Sequence, residues 1–267
     1  LKVSDSIAIT SGKGGVGKTT FAVNLSIAQK KLAEKIFLLD TDMGMANSHV
    51  LLGVNPEFSI ADVISGEKKI SDIVVSNKNG INLISGGTAT SNLLNLENVK
   101  RYSILNEIDN FLKESGNVRL IVDIAAGAED NALVFSMACD RILIVIIGEP
   151  TSFIDSYALI KALYAKSSFK NYCVAVNQVD DEEHGKELFS KFQSITSQFL
   201  DVNLHFVGSI KNSGKIRKSI VDRTPIMSSE PKSDISQSFL KIAKNINETP
   251  INEWGGLTFL SKVKKRA

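Results

Sequence analysis

The chain has 267 residues, 43% of them hydrophobic and 22% charged, with a formal net charge of +2. This balance supports a full buried core and excludes the low-hydrophobicity, high-charge pattern of a disordered chain, and so small a charge gives no general basis for nucleic-acid binding. Cys139 and Cys173 sit in apolar runs, as buried reduced thiols do; His49, His184 and His205 show no metal-ligand spacing, and no run reaches the ~18 apolar residues of a membrane span.

From the amino end, apolar runs of strand length alternate with segments of helical spacing. Residues 6–10 predict a short buried strand, followed by a glycine-rich loop and a helix carrying Ala22, Leu25, Ala28 and Leu32 on one face. A second strand follows at 36–40, and others at 81–84, 119–123, 141–147, 172–176 and 204–207. Helices are predicted over 100–113, 154–165, 187–199 and 233–246. Seven strands with intervening helices give a single doubly wound, mostly parallel α/β sheet flanked by helices, a domain over 1–247. Residues 248–267 read as a linker, with Pro250 and Gly255-Gly256, and a basic carboxyl-terminal tail.

Residues 12–19, GKGGVGKT, match G-x-x-x-x-G-K-S/T directly after a strand and at the start of a helix, the context in which this motif binds phosphate. Gly12, Gly14, Gly15 and Gly17 let the backbone fold around oxyanions, and the following helix presents its positive end to the same charge. The whole loop, from Gly12 through Val16 to Thr20, is therefore assigned to a nucleotide. Lys18 reaches the β and γ phosphates, and the Thr19 hydroxyl is a ligand for Mg²⁺. Two further strands end in carboxylates, one in Asp40-Thr41-Asp42 and the other in Asp123. Asp123 is placed to hold Mg²⁺ directly or through water. Asp42, two residues beyond its strand, is the candidate to orient the attacking water and is assigned to the metal site with Thr19 and Asp123.

The string SGKGGVGKTT, with Lys13 as a second lysine, resembles the deviant Walker A motif of the MinD, ParA and nitrogenase iron protein class of P-loop NTPases. The resemblance implies a MinD-like fold and a slow ATPase that binds ATP or ADP with Mg²⁺. In such a class two ATP molecules lie between the subunits of a homodimer, and Lys13 reaches across to the partner's nucleotide. By the same resemblance, Asp40, Asp42 and Asn47 fall in switch I and 123–127, ending in Gly127, in switch II. Asn177 then reads the adenine edge, with Ile210 beside the base.

Three stretches are similar to the FlhG family of flagellar-number regulators, also called YlxH, FleN or MotR: DTDMGMANSHVLLG at 40–53, the segment 121–163 containing GEPTSFIDSYALIKAL, and GSIKNSGKIRKSIVDRTPIMSSEPKS at 208–233. The chain departs from that family at Lys211-Asn212-Ser213, where I-P-x-D is usual, and at Ala125 and Ala126 in switch II. This resemblance implies as partners an FlhF-like GTPase and flagellar C-ring proteins. Division proteins are the partners if the chain is instead a MinD-type site-selection ATPase, and a ParA-type DNA partitioning ATPase is the third reading.

On a helix begun near Gly256, the residues Leu257, Leu260 and Val263, with Phe259 or Trp254, would gather on one side. Lys262, Lys264, Lys265 and Arg266 would fall on the other. Such a tail suits an anionic membrane surface better than DNA. The expectation is a cytoplasmic chain with ATP-dependent peripheral association at the inner face of the cell membrane, two tails per dimer raising avidity.

Overall fold

The computed structural model describes residues 5–30, 35–41, 47–87, 98–252, 256 and 258–260. Its first part comprises β1 (Asp5–Thr10), α1 (Lys18–Lys30), β2 (Lys35–Asp40), α2 (Ser48–Leu52), α3 (Ile60–Ile64), α4 (Ile70–Ile73), β3 (Val74–Ser76) and β4 (Ile81–Ser85). The middle comprises α5 (Asn98–Glu114), β5 (Val118–Asp123), α6 (Asp130–Met137), β6 (Arg141–Ile146) and α7 (Pro150–Ser167). The last part holds β7 (Asn171–Val179), α8 (Glu182–Ser197), β8 (Asn203–Lys211), α9 (Gly214–Val221), α10 (Ile226–Ser229) and α11 (Asp234–Glu248).

The strands form one sheet in the order β3-β4-β2-β5-β1-β6-β7-β8. Every pairing is parallel except that of β3 with β4. All seven expected strands are present. The eighth, β3, is a three-residue antiparallel edge too short to show a period.

Strand alternation divides the core into two layers, because successive side chains point to opposite faces. Ala8, Leu120, Val122, Ile142, Ile144 and Val174 join one layer with α5, α7 and α8. Ile7, Ile9, Ile121, Leu143 and Val145 join the other with α1 and α11. Cys173 lies in this second layer and Cys139 in the first, each 1% exposed. Burial raises both thiol pKa values, that of Cys173 to about 11.

The amino-terminal ends of the central strands are locked by a buried ionic network. Arg119 on β5 donates from Nε and Nη2 to both oxygens of Asp5 on β1, at 2.6 and 2.9 Å, and from Nη1 to Asn247 Oδ1 at 2.8 Å. Arg141 on β6 donates to Asp5 at 2.9 Å and to the Thr249 carbonyl at 3.1 Å. The carboxyl end of α11 is thereby fixed to the edge opposite the phosphate loop.

Beyond α11 the structure describes two apolar residues of the expected membrane-facing tail, Phe259 and Leu260, and places both in the core. Phe259 and Leu260 are 1% and 7% exposed, belong to the first core layer, and lie in a turn rather than a helix. The Phe259 N–H donates to the Ala138 carbonyl at 2.7 Å and the Leu260 N–H to Asp109 Oδ1 at 2.7 Å. Their apolar surface is taken up by the chain's own core. Trp254, Leu257, Lys262, Val263, Lys264, Lys265 and Arg266 lie outside the described residues, as do Leu32 and Asp42.

Candidate active site

The phosphate loop leaves β1 at Thr10 and enters α1 at Lys18. Two of its glycines have specific steric reasons. A Cβ on Gly12 would lie 2.0–2.3 Å from backbone atoms of Asp155 and Ser156, so the loop rests directly on the main chain of α7. Gly17 has φ +89°, and its Cβ would come within 2.7 Å of Asn177 Nδ2. A Cβ on Gly14 or Gly15 would meet nothing within 4 Å, leaving an open cradle above the loop.

The side chains around this cradle come from the carboxyl ends of neighbouring strands. Asp40 and Asp123 are in register on β2 and β5, at 1% and 2% exposure. Asp40 Oδ2 accepts the Ser48 N–H at 3.1 Å, so the end of β2 holds the first residue of α2. The Thr41 N–H and hydroxyl both donate to the Asp123 carbonyl, at 2.9 and 3.0 Å. Asn47 is the exposed residue preceding α2 and makes no side-chain cap bond. Gly127, with φ +98°, donates its N–H to the Ser11 carbonyl at 2.9 Å and so ties the segment after β5 to the phosphate loop.

On the other side, Asn177 on β7 donates from Nδ2 to the Val16 carbonyl at 2.8 Å. It stands in register with Ile210 on β8, which is 1% exposed. Beside them opens a cavity of about 180 Å³ whose lining includes Gly17, Thr20, Asn177, Ile210, Ser213 and Arg217. Thr19 and Thr20 are half-buried in the first turn of α1, where Thr20 also offers its carbonyl to Asn24 Nδ2 at 2.8 Å.

Lys13 bends toward its own protomer. Its Nζ pairs with Glu149 Oε2 at 2.5 Å and donates to Thr151 Oγ1 at 3.0 Å, both at the start of α7. Sequence reasoning quoted this segment within a family string but gave neither residue a role. Only the mismatch between a lysine beside the phosphate loop and the absence of a local carboxylate hinted at a remote one.

The donor set fits a nucleotide with a divalent cation: an open glycine cradle at a helix start, a lysine and a threonine opening that helix, and buried carboxylates at two strand ends. Fold and site together define a P-loop nucleotide-hydrolysing protein of the doubly wound type.

Residues 2–247 match the family model described as ParA, NUBPL iron-transfer P-loop NTPase. The chain is 35% identical over 256 residues to the antiactivator FleN of Pseudomonas aeruginosa, covering 95% of this chain and 90% of that protein. It is 31% identical over 242 residues to the flagellum site-determining protein YlxH of Helicobacter pylori, covering 89% and 80%. Among solved structures, the MinD cell division protein of Aquifex aeolicus superposes with a TM-score of 0.74 at 27% identity, covering 92% of this chain and 97% of that one. The MinD of Pyrococcus horikoshii, complexed with Mg-ADP, shares the fold with a TM-score of 0.74 at 21% identity, covering 92% and 97%. The chain belongs to the ParA/MinD family of P-loop ATPases, in the branch of FleN and YlxH.

Cys139 and Cys173 lie on opposite faces of the sheet, and among the described residues no three or more His, Cys, Asp or Glu side chains gather as a metal site.

Proposed function

We propose that this ATPase is a nucleotide-driven dimerisation switch that sets the number and placement of flagella. An identity of 35% to FleN across 95% of the chain, together with a phosphate loop carrying two lysines, is the observation that carries the reading. Lys18 and the loop N–H groups would hold the phosphates of ATP, while Thr19 and Asp123 would hold Mg²⁺, whose charge would offset that of the phosphate oxygens. The cavity beside Asn177 and Ile210 takes the base. Two loaded protomers associate across the cradle, and each Lys13 turns to the other's phosphates, where a fixed cation stabilises the charge that develops as the γ phosphate leaves.

Dimerisation is the output, and slow hydrolysis resets it. The partners are protein components of flagellar assembly, an FlhF-like GTPase or C-ring subunits. Peripheral association of a cytoplasmic dimer with an anionic membrane then rests on the basic residues Lys262, Lys264, Lys265 and Arg266 rather than on Phe259 and Leu260. The likeness to MinD supports a second reading, division-site selection, with the same switch and different partners.

Turnover per protomer measured over a range of protein concentrations tests the switch. A rise with concentration, accompanied by ATP-dependent dimers in sedimentation, is expected. Turnover independent of concentration would mean that each protomer hydrolyses ATP alone. A pull-down with flagellar and division proteins as separate baits separates the two cellular readings.

A further inference from the structure

At the outermost strand of the sheet, a cavity of about 200 Å³ opens between β8 and the first turns of α8 and α11. It is slightly larger than the cavity beside Asn177, about 180 Å³, with which it shares Lys211 in its wall.

A bulge in β8 forms the floor. Val174 of β7 pairs with Phe206 but Ala175 pairs with Gly208, so Val207 is a surplus residue, and its carbonyl accepts Asn245 Nδ2 of α11 at 2.9 Å. Gly208 follows with φ +140°, and a Cβ there would lie 2.7 Å from Ile242 Cγ1. On the other side, a Cβ on Gly185 of α8 would come within 2.5 Å of Ser209 Oγ. Both helices therefore rest directly on the strand at these glycines, which fixes the depth of the cavity. Ile242 and Val179 supply apolar surface around Ser209.

Ser209 lines the cavity and is 9% exposed, and among the described residues its hydroxyl has no hydrogen-bond partner. A hydroxyl so deeply buried ordinarily has one. The rim carries charge of both signs. Lys241 and Glu182 pair with each other at 2.7 Å, while Lys211 makes no ion pair among the described residues. Asp234 uses Oδ1 to accept the Ile235 N–H at 2.9 Å, and Asp181 uses Oδ1 to accept the His184 N–H at 2.8 Å. Each keeps a second carboxylate oxygen for another donor. A purely anionic ligand would be repelled by these two aspartates, and a purely cationic one by Lys211. A zwitterion with an apolar body meets every wall with its complement.

We propose that this cavity binds a free aliphatic α-amino acid. The ligand carboxylate is held by Lys211 and the Ser209 hydroxyl, its ammonium by Asp234 with Asp181 beside it, and its side chain by Ile242 and Val179. The site uses no residue assigned above to phosphate, metal or base. Two charge-assisted contacts on an open rim, with one buried hydroxyl, suit an affinity on the order of millimolar.

The test uses the full chain and ligand-observed saturation-transfer NMR with glycine, alanine, valine and leucine as probes. Two analogues of leucine are measured beside them: 4-methylpentanoate, which lacks the ammonium, and 3-methylbutylamine, which lacks the carboxylate. At least one of the four amino acids is expected to bind saturably, and each leucine analogue to bind at least about tenfold more weakly than leucine. Ser209→Ala is expected to weaken binding about threefold, and Lys211→Gln and Asp234→Asn about fivefold or more each, with the melting temperature of the ligand-free variants as the folding control. Because Ser209 and Asp234 line this cavity and not the one beside Asn177, their effects locate the ligand. The analogue comparison needs no variant and stands whether or not the substitutions fold. The absence of saturable binding by all four amino acids up to about 10 mM would overturn the proposal. So would equal affinity for leucine and either analogue, or affinity unchanged in both Ser209→Ala and Asp234→Asn.

Discussion

The Gly127 N–H donates to the Ser11 carbonyl at 2.9 Å, joining the segment that follows β5 to the start of the phosphate loop. After β2, the Thr41 hydroxyl donates to the Asp123 carbonyl and the Asp40 carboxylate accepts the Ser48 N–H. Main-chain and side-chain bonds thus fasten both segments around one cradle.

Gly12 and Gly14 carry opposite expectations although both belong to the same motif. Gly12→Ala places a methyl group 2.0–2.3 Å from backbone atoms of α7, which cannot give way as a flexible side chain would. A loss of ~3 kcal/mol or more is expected in urea denaturation, with nucleotide binding abolished. Gly14→Ala meets nothing within 4 Å and should leave stability unchanged. Any loss of nucleotide affinity in this variant then reports the ligand itself filling the cradle.

Asn177→Ala removes the bond from Nδ2 to the Val16 carbonyl, which couples the strand beside the base cavity to the phosphate loop. Nucleotide affinity measured by titration calorimetry is expected to fall about fivefold or more, the equivalent of one hydrogen bond of ~1 kcal/mol together with lost base contacts. The melting temperature without nucleotide should fall only slightly.

Phe259→Ala distinguishes a docked carboxyl segment from a free one. Its ring is 1% exposed, and truncating a buried phenylalanine costs ~3–5 kcal/mol, visible as a lower midpoint in urea. Unchanged stability would mean that this segment is not held in the core in solution. Arg119→Ala, at the opposite edge of the sheet from the cradle, should cost about 1.5–3 kcal/mol by removing two charge-assisted bonds from the buried Asp5 carboxylate, which keeps its contact with Arg141, with little effect on the affinity of the molecules that remain folded.

Asp140 gives a pH dependence of definite sign. Burial raises its pKa above the ordinary 3.8, outweighing the bonds from the Ser6 hydroxyl and N–H, both 2.8 Å long. The folded chain therefore binds this proton more tightly than the unfolded chain. Its contribution to stability is full below the ordinary value and is lost as pH rises through the raised one. Asp140→Asn keeps an acceptor for Ser6 and removes that slope. In paired denaturation curves, the stability of the variant relative to wild type is expected to increase from acid to neutral pH.

The sheet was legible because seven of its strands are apolar on both faces and end in Gly, Asp or Pro. β3 was not, because Val74-Val75-Ser76 follows a single turn of helix and pairs only along one edge. The start of α8 was placed five residues late. Its first turns are polar and exposed, although Asp181 caps them through the His184 N–H at 2.8 Å, a signal visible in the string DDEEH. The phosphate loop and the strand-end aspartates were legible because the chemistry sits in one short motif and at strand boundaries. Glu149 was not, since its relation to Lys13 exists only once β1 and β6 lie side by side. The tail shows the limit of amphipathic pattern: spacing identifies apolar residues such as Phe259 and Leu260 without saying whether lipid or the chain's own core will cover them.

The second lysine of the phosphate loop distinguishes a switch shared by two subunits from an enzyme that works alone. The most direct measurement is the turnover of Lys13→Ala at a protein concentration where the wild type is dimeric, with nucleotide binding measured on the same preparation. Binding is expected to be retained within about twofold, because Lys18 and the loop N–H groups hold the phosphates in cis, while turnover falls at least about 100-fold with loss of the trans cation. Turnover equal to that of the wild type would contradict the assignment of Lys13 to the partner's nucleotide.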